Sequence, residues 1–426
     1  MNIQDLLSGR KNCVCGACHV CPIKHVVIRD GAIDDLSVLT EKDHHILLVA
    51  DENTYAAAGK RVADVLGHKV YRTLIYRRTG ILVPNEEAVS EMKDCLDRET
   101  DLIVGIGSGV INDLCKYVAH SVSLPYDIVA TAPSMDGYAS KGAAMILDGM
   151  KVTPTAAVPR SIIADLSVLA TAPLSMIRAG YGDIIGKYSC LNDWRLSQIV
   201  NGEKVCEEVY RLTMEAAEET LTLAEGLLAR DHRALAALME ALVGVGILMA
   251  YVGHSRPASG SEHHLSHYFE IVGIIRGENY YPHGIDVLYS AIESAHMREK
   301  LFREGDPFAS VAPLDDDRYC ANIRRIYGPL ADEVLALQEK LGWYRVDRLP
   351  IYRERWTEIR RVLAEAPDAR TMTGYAEKIG LDAEEFRRFY GDDKIADARL
   401  FAKDLKDRYT VLWLYYDLFA GGGASC

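Results

Sequence analysis

The sequence predicts an α/β N-terminal domain with a parallel, Rossmann-like sheet over residues 1–170, followed by an all-α C-terminal domain over residues 171–426. Three observations carry this reading. Apolar runs of strand length alternate with stretches of helical spacing from residue 26 to about residue 170. After Pro173 the strand signals stop, and the later periodic stretches all have helical spacing. A chain of 426 residues with 49 % apolar and 26 % charged content can bury two globular cores.

Taken in order, residues 26–28 form a short strand, and residues 45–51 form a near-continuous apolar strand that ends in Asp51. Helical spacing follows over 53–66, a strand over 70–76, and a helix over 86–99. Residues 101–107 are a strand that runs into glycines, and residues 110–120 are helical. A strand over 127–131 enters the Pro-containing loop 132–137, and residues 161–165 close the series. Apolar strands separated by helices of this length make a parallel sheet covered on both faces. Ligands on such sheets sit at the C-terminal strand ends, where Asp51, Gly107 and Thr131 fall. Beyond Pro173, helices are expected over 173–199, 203–229, 234–252, 259–275 and 283–300. Charged amphipathic segments follow, including 356–364 and 382–390. The stretch 234–253 is apolar enough to resemble a membrane span, but Glu240 and its glycines argue for a buried central helix. The glycine-rich tail 421–426 is expected to be disordered.

The net charge of −13 excludes a nucleic-acid partner, which needs a basic face. No membrane partner is indicated either. The first eight residues lack the apolar run of a secretory signal, so the ten cysteines read as cytoplasmic thiols and not as a disulfide framework. Cys13, Cys15, Cys18 and Cys21 stand at C-x-C-x-x-C-x-x-C spacing, with His19 and His25 among them. That pattern reads either as a zinc site or as a reduced lead-in to the first strand.

The chemistry concentrates in Gly260-Ser261-Glu262-His263-His264-Leu265-Ser266-His267. His263 and His267 are four apart and share one helix face. They either hold a metal together or divide ligation and proton handling between them. His283 opens a later helix, and Asp183 stands upstream in Gly180-Tyr181-Gly182-Asp183-Ile184-Ile185-Gly186-Lys187. One carboxylate, two imidazoles and an open position make a catalytic divalent metal site, suited to zinc, iron or nickel. Gly105-Ile106-Gly107-Ser108-Gly109 joins a strand to a helix, where a pyrophosphate could meet the helix N-terminus, though the third glycine of the dinucleotide fingerprint is missing. Asp51 is either a ribose-binding carboxylate favouring NAD or an N-cap of the helix after it. Lys187, one turn after Asp183, is either a charge near a substrate phosphate or a paired helix lysine.

These elements resemble the dehydroquinate synthase/iron-containing alcohol dehydrogenase superfamily, and within it the bacterial glycerol-1-phosphate dehydrogenases. The resemblance rests on the stretches 107–113, 131–140, 180–187 and 261–267, and covers residues 12–300 well. It implies a dehydroquinate synthase-like fold in which Asp51, Gly107, Ser108, Gly109, Val110, Ile111, Thr131, Ala132, Pro133, Ser134 and Ser140 bind NAD, with NADP possible. It implies that Asp183, His263 and His283 hold the metal while His264 points elsewhere, and that Asp136 and His267 contact substrate. It further implies hydride exchange with C2 of dihydroxyacetone phosphate, a role in phospholipid metabolism, and a homo-oligomer, a homodimer in the first instance. The sequence departs from the pattern at Asp286, where a lysine is usual, and in the richness of its cysteine cluster. Rival readings are a glycerol or other polyol dehydrogenase, a 3-dehydroquinate synthase-like cyclase, which tends to have Glu where Asp183 stands, and a non-catalytic nucleotide-binding scaffold or sensor.

Overall fold

The computed structural model describes residues 1–147, 149–303, 307–309, 311 and 315–420. Among the described residues there are eight strands: β1 (His25–Arg29), β2 (Ile46–Asp51), β3 (Val70–Tyr76), β4 (Leu102–Gly107), β5 (Tyr126–Ala130), β6 (Met145–Leu147), β7 (Met150–Val152) and β8 (Ser161–Asp165). Six of them form one sheet in the order β1-β8-β5-β4-β2-β3, with every pairing parallel. β6 and β7 form a separate antiparallel hairpin, whose three-residue strands are too short to leave a periodic signal. From β2 the chain passes to β3 on one side and then to β4 on the other, so the order reverses between β2 and β4. Ligands of open α/β sheets bind outside the strand ends at such a switch point. Asp51 and Gly107 are the last residues of those two strands.

Alternation along the strands sets the core. Ile46, Leu48 and Ala50 of β2 share one face with Leu102, Val104 and Ile106 of β4, and Val62 and Leu66 of the covering helix pack on them. β2, β4, β5 and β8 are buried along nearly their whole length, as strands covered on both faces must be.

Six helices carry or position the candidate site residues: α1 (Gly109–Val122), α2 (Leu174–Ile185), α3 (Lys187–Asn201), α4 (His232–Val252), α5 (Ser261–Arg276) and α6 (His283–Arg303). The compact units do not follow a cut at residue 170. One unit contains residues 1–184 and 211–255, and the other residues 185–210 and 256–426. The chain therefore leaves the sheet's unit and returns to it before leaving for good. α4 is the reason, because its apolar surface packs on the 3-10 turn Asp136–Ala139, on β1 and on the helix Ile3–Leu7. Among the described residues it is the one helix long and apolar enough to cross a membrane, and 78 % of its most apolar window is buried. Asp231 caps its N-terminus and Gly253 ends it in the left-handed conformation.

Several expected helices are shorter or broken. The helix expected over 173–199 divides at Gly186 into α2 and α3, and that expected over 203–229 divides into Glu207–Leu221 and Ala224–Leu228. Glycine is the weakest helix former after proline, so a break at Gly186 is cheap. The helix expected over 86–99 stops at Lys93. The tail 421–426 lies outside the described residues. The second unit is built around Trp413, Tyr409, Tyr352, Leu414 and Leu363, with Leu196 of α3 and Leu301 of α6 in the same cluster.

Candidate active site

In the sheet's unit, β4 delivers Gly107 and Ser108 to the start of α1. Thr131, just past β5, donates its backbone N–H to the Gly107 carbonyl at 3.1 Å, so the two strand-end loops are tied together. The hydroxyls of Ser108 and Ser134 share a short hydrogen bond. The expected cofactor residues Gly107, Ser108, Gly109, Val110, Ile111, Thr131, Ala132, Pro133 and Ser134 thus lie at the C-terminal ends of the adjacent central strands β4 and β5, on the two strand-end loops and the first turn of α1. Asp51 ends the neighbouring strand, where its carboxylate accepts from Thr54 N at 2.8 Å and makes a capping box. The cap reading of Asp51 is therefore realised in this structure.

Ser140 is held in a different way. Lys116, on α1, is fully buried, and its ammonium donates to the carbonyls of Gly137, Ser140 and Gly142 and to the Ser140 hydroxyl. One cation thereby fixes the whole turn from Asp136 to Gly142. Sequence reasoning misses Lys116; its only signal is a lysine on the apolar face of an amphipathic helix. Burial pushes its pKa down to about 8 from an ordinary 10.5, against the pull of Asp113 and Asp136. A lysine whose folded pKa is depressed penalises the folded state while it is charged. The penalty is full below pH 8 and fades as pH rises toward 10.5. The stability of the wild type relative to Lys116→Met is accordingly expected to increase across that window, by up to about 3 kcal/mol, as read from denaturant midpoints at pH 7 and pH 10.

Asp136 opens the turn and is buried. Its backbone N–H donates to Asp183 Oδ2 at 2.9 Å. Asp183 is fully buried near the end of α2. α2 comes this close because residue 180 is glycine: a Cβ there would lie 1.8 Å from the Pro133 carbonyl oxygen and 2.8 Å from its carbon.

In the second unit, α5 and α6 bring three imidazoles together. The His263 ring lies 5.1 Å from that of His283 and 6.1 Å from that of His267, and the His267 and His283 rings are 5.5 Å apart. His263 and His267 are buried, and His283 is half-buried. Glu262, fully buried, accepts from His263 Nδ1 at 2.7 Å and from Gly260 N at 2.8 Å. A carboxylate only accepts, so Nδ1 carries the hydrogen and Nε2 presents its lone pair. This is the arrangement that orients a metal-ligating histidine. Asp193 of α3 holds the start of the same helix by accepting from Ser261 N at 2.6 Å, and its other oxygen accepts at 2.8 Å from Val411 N, the first residue of the helix Val411–Phe419. Burial, and after it the Glu262 charge, raises the Asp193 carboxyl, while buried Arg298 of α6 supplies countercharge to both acids. Sequence reasoning gives Glu262, Asp193 and Arg298 no role, because spacing cannot show which acids a fold buries beside a histidine.

His264 is wholly buried, and burial followed by the nearby Lys406, Arg408 and Arg256 holds its pKa well below 6.5, so the ring is neutral. Lys187 is also buried and donates to the Ala258 carbonyl at 3.0 Å, in keeping with the paired-lysine reading. Asp286, which replaces the usual lysine, is buried, and both its oxygens accept from the Tyr390 hydroxyl at 2.9 and 3.1 Å. Tyr390 in turn accepts from Tyr281 N at 3.2 Å, so Asp286 braces the approach to His283.

Residues 27–173 match the family model described as iron-containing alcohol dehydrogenase. The chain is 33 % identical over 359 residues to a glycerol-1-phosphate dehydrogenase [NAD(P)+] of Bacillus licheniformis, covering 80 % of this chain and 90 % of that one. It is 31 % identical over 396 residues to the protein of that name from Bacillus velezensis, covering 92 % and 90 %. Among solved structures, sulfoacetaldehyde reductase from Bifidobacterium kashiwanohense in complex with NAD+ aligns with a TM-score of 0.59 at 12 % identity, over 94 % of this chain and 98 % of the other. At that identity the likeness shows the shared fold.

Proposed function

Because the chain belongs to the glycerol-1-phosphate dehydrogenases, a family of NAD(P)-dependent enzymes within the iron-containing alcohol dehydrogenase superfamily, we propose that it exchanges hydride between NAD(P)H and C2 of dihydroxyacetone phosphate, giving glycerol 1-phosphate. The observation that carries the catalytic part is the His263–His267–His283 cluster with Glu262 locking the His263 tautomer.

The donor set fits a divalent cation: two imidazoles, one carrying a carboxylate-oriented lone pair, and a buried acid in Asp183. Asp183, His263 and His283 are the proposed ligands, and zinc, iron and nickel all suit them. When bound, the nucleotide supplies the hydride and the cation supplies the Lewis acidity that stabilises negative charge developing on the substrate oxygen. The chain's own residues do the rest. His267, one turn from His263, gives the proton that completes the alcohol and takes it back in the reverse direction. Asp136, on the turn fixed by Lys116, orients the substrate hydroxyls. The loops at Gly107–Ile111 and Thr131–Ser134 receive the pyrophosphate against the N-terminus of α1, with Asp51 and Ser140 completing the nucleotide site. The chain's ten cysteines suit a reducing, cytoplasmic setting.

The deciding assay follows NADH and NADPH oxidation with dihydroxyacetone phosphate and with dihydroxyacetone, in the presence of zinc, iron or nickel. Turnover that requires the phosphate supports the reading. Faster turnover of the unphosphorylated ketone would transfer the protein to the polyol dehydrogenases, and catalysis on a ketoacid phosphate without net NADH loss would transfer it to the cyclases.

A further inference from the structure

We propose that Cys13, Cys15 and His19 form a second metal site, built in the N-terminal segment and taking a borderline-soft divalent cation, zinc foremost. Their donor atoms, two sulfurs and one ring nitrogen, lie within 4.8 Å of one another.

The backbone is shaped to bring them there. Gly16 N donates to the Cys13 carbonyl at 2.9 Å, and Gly16 itself has φ +82°, so the chain turns sharply after the C-x-C pair. It then runs back along itself: Arg10 and His19 form an antiparallel bridge, each donating to the other's carbonyl at 2.9 Å. That bridge returns the His19 side chain to the two thiols.

The imidazole is set up as a ligand. His19 is buried, its ring stacks on Tyr251 at 5.2 Å with a 10° tilt, and its Nδ1 lies 2.8 Å from the Tyr251 carbonyl oxygen. A carbonyl can only accept, so Nδ1 is the protonated nitrogen and Nε2 presents its lone pair. Nε2 lies 3.3 Å from Cys15 Sγ. A backbone carbonyl behind a histidine is the usual support of a metal-bound ring. Tetrahedral zinc with ordinary bond lengths sets a sulfur and a nitrogen about 3.6 Å apart, close to what is seen. Two thiolates and one imidazole supply three of four tetrahedral positions, and another cysteine of the chain or a water completes the set. The donors contain sulfur, whereas the proposed catalytic ligands are oxygen and nitrogen only, so the two sites differ in kind and stand or fall separately.

That difference gives the test. The full-length protein loaded with cobalt(II) is expected to show sulfur-to-cobalt charge-transfer absorption in the near ultraviolet, a signal that an oxygen–nitrogen site cannot give. Cys13→Ser/Cys15→Ser should lose this absorption and bind one equivalent of metal fewer per chain. His19→Cys, which keeps the number of donors, should retain both. Independently of folding of the variants, a mercurial added to the zinc-loaded wild type should release one equivalent of zinc as the thiols react. Absence of the charge-transfer band, its survival in the double variant, or thiol modification without zinc release would each overturn the site.

Discussion

His263→Ala is expected to lose tight binding of the catalytic cation and turnover in the same step, with kcat/KM falling about 10³-fold or more. The hydrogen bond between Glu262 and His263 Nδ1 fixes the ring's orientation and puts its hydrogen on Nδ1. The bond is made by a carboxylate that is wholly buried and anchored to the helix start through Gly260 N. The ring is therefore oriented before any cation arrives, and alanine removes both the proposed ligand and the use of that orientation. Substitution at His267 separates the roles. His267→Ala should keep the cation and lose about 10²- to 10⁴-fold in kcat, as expected for removal of a proton-transfer group. Glu262→Gln, which weakens the support without deleting a ligand, should reduce metal affinity about 10- to 100-fold. Metal content measured beside initial rates checks all three. A His263→Ala protein stripped of its catalytic ion that still oxidises NADH at the wild-type rate would remove His263 from the ligand set.

How much of this can be read from the sequence depends on which interactions are local. The strands over 70–76 and 161–165 coincide with β3 and β8, because an apolar run bounded by turn residues is a local signal. α5 is legible for the same reason: His263 and His267 one turn apart fix a shared face without reference to the rest of the chain. The supports of the site are not legible. Glu262 is next to His263 in sequence, and helical spacing gives adjacent residues no reason to pair; the pairing exists because the helix start folds the Glu262 side chain back toward Gly260. In the sequence Lys116 is one more charge on α1, yet its four acceptors come from residues 137–142, which no periodicity links to it. The make-up of the two compact units is non-local in the same way. Nothing in the composition of α4 says that it returns to pack on Asp136–Ala139 and on β1. Asp51 shows a further limit, since a carboxylate at a strand end serves a helix cap and a ribose equally well, and only the contact with Thr54 reveals the first use.

Gly180→Ala is expected to cost about 10²-fold in kcat/KM although residue 180 touches neither substrate nor cofactor in the proposed reaction. The added methyl group would sit 1.8 Å from the carbonyl oxygen of Pro133. No rotamer can relieve this, because the obstacle is backbone and the new atom is a Cβ. Either α2 or the loop through Pro133 has to move by about an ångström or more to restore ordinary contact. That loop carries Thr131 and Ala132 before Pro133 and Ser134 and Asp136 after it, and Asp136 N is bonded to Asp183 on α2 itself. The displacement therefore separates two of the proposed functional residues and shifts the nucleotide loop at once. An informative control is Gly374→Ala, in the helix Ala369–Lys378, where a Cβ would meet nothing within 4 Å. There alanine should stabilise the helix by about 1 kcal/mol and leave the rate untouched. If Gly180→Ala melts and turns over like the wild type while Gly374→Ala behaves as expected, the close approach of α2 to Pro133 does not position the site.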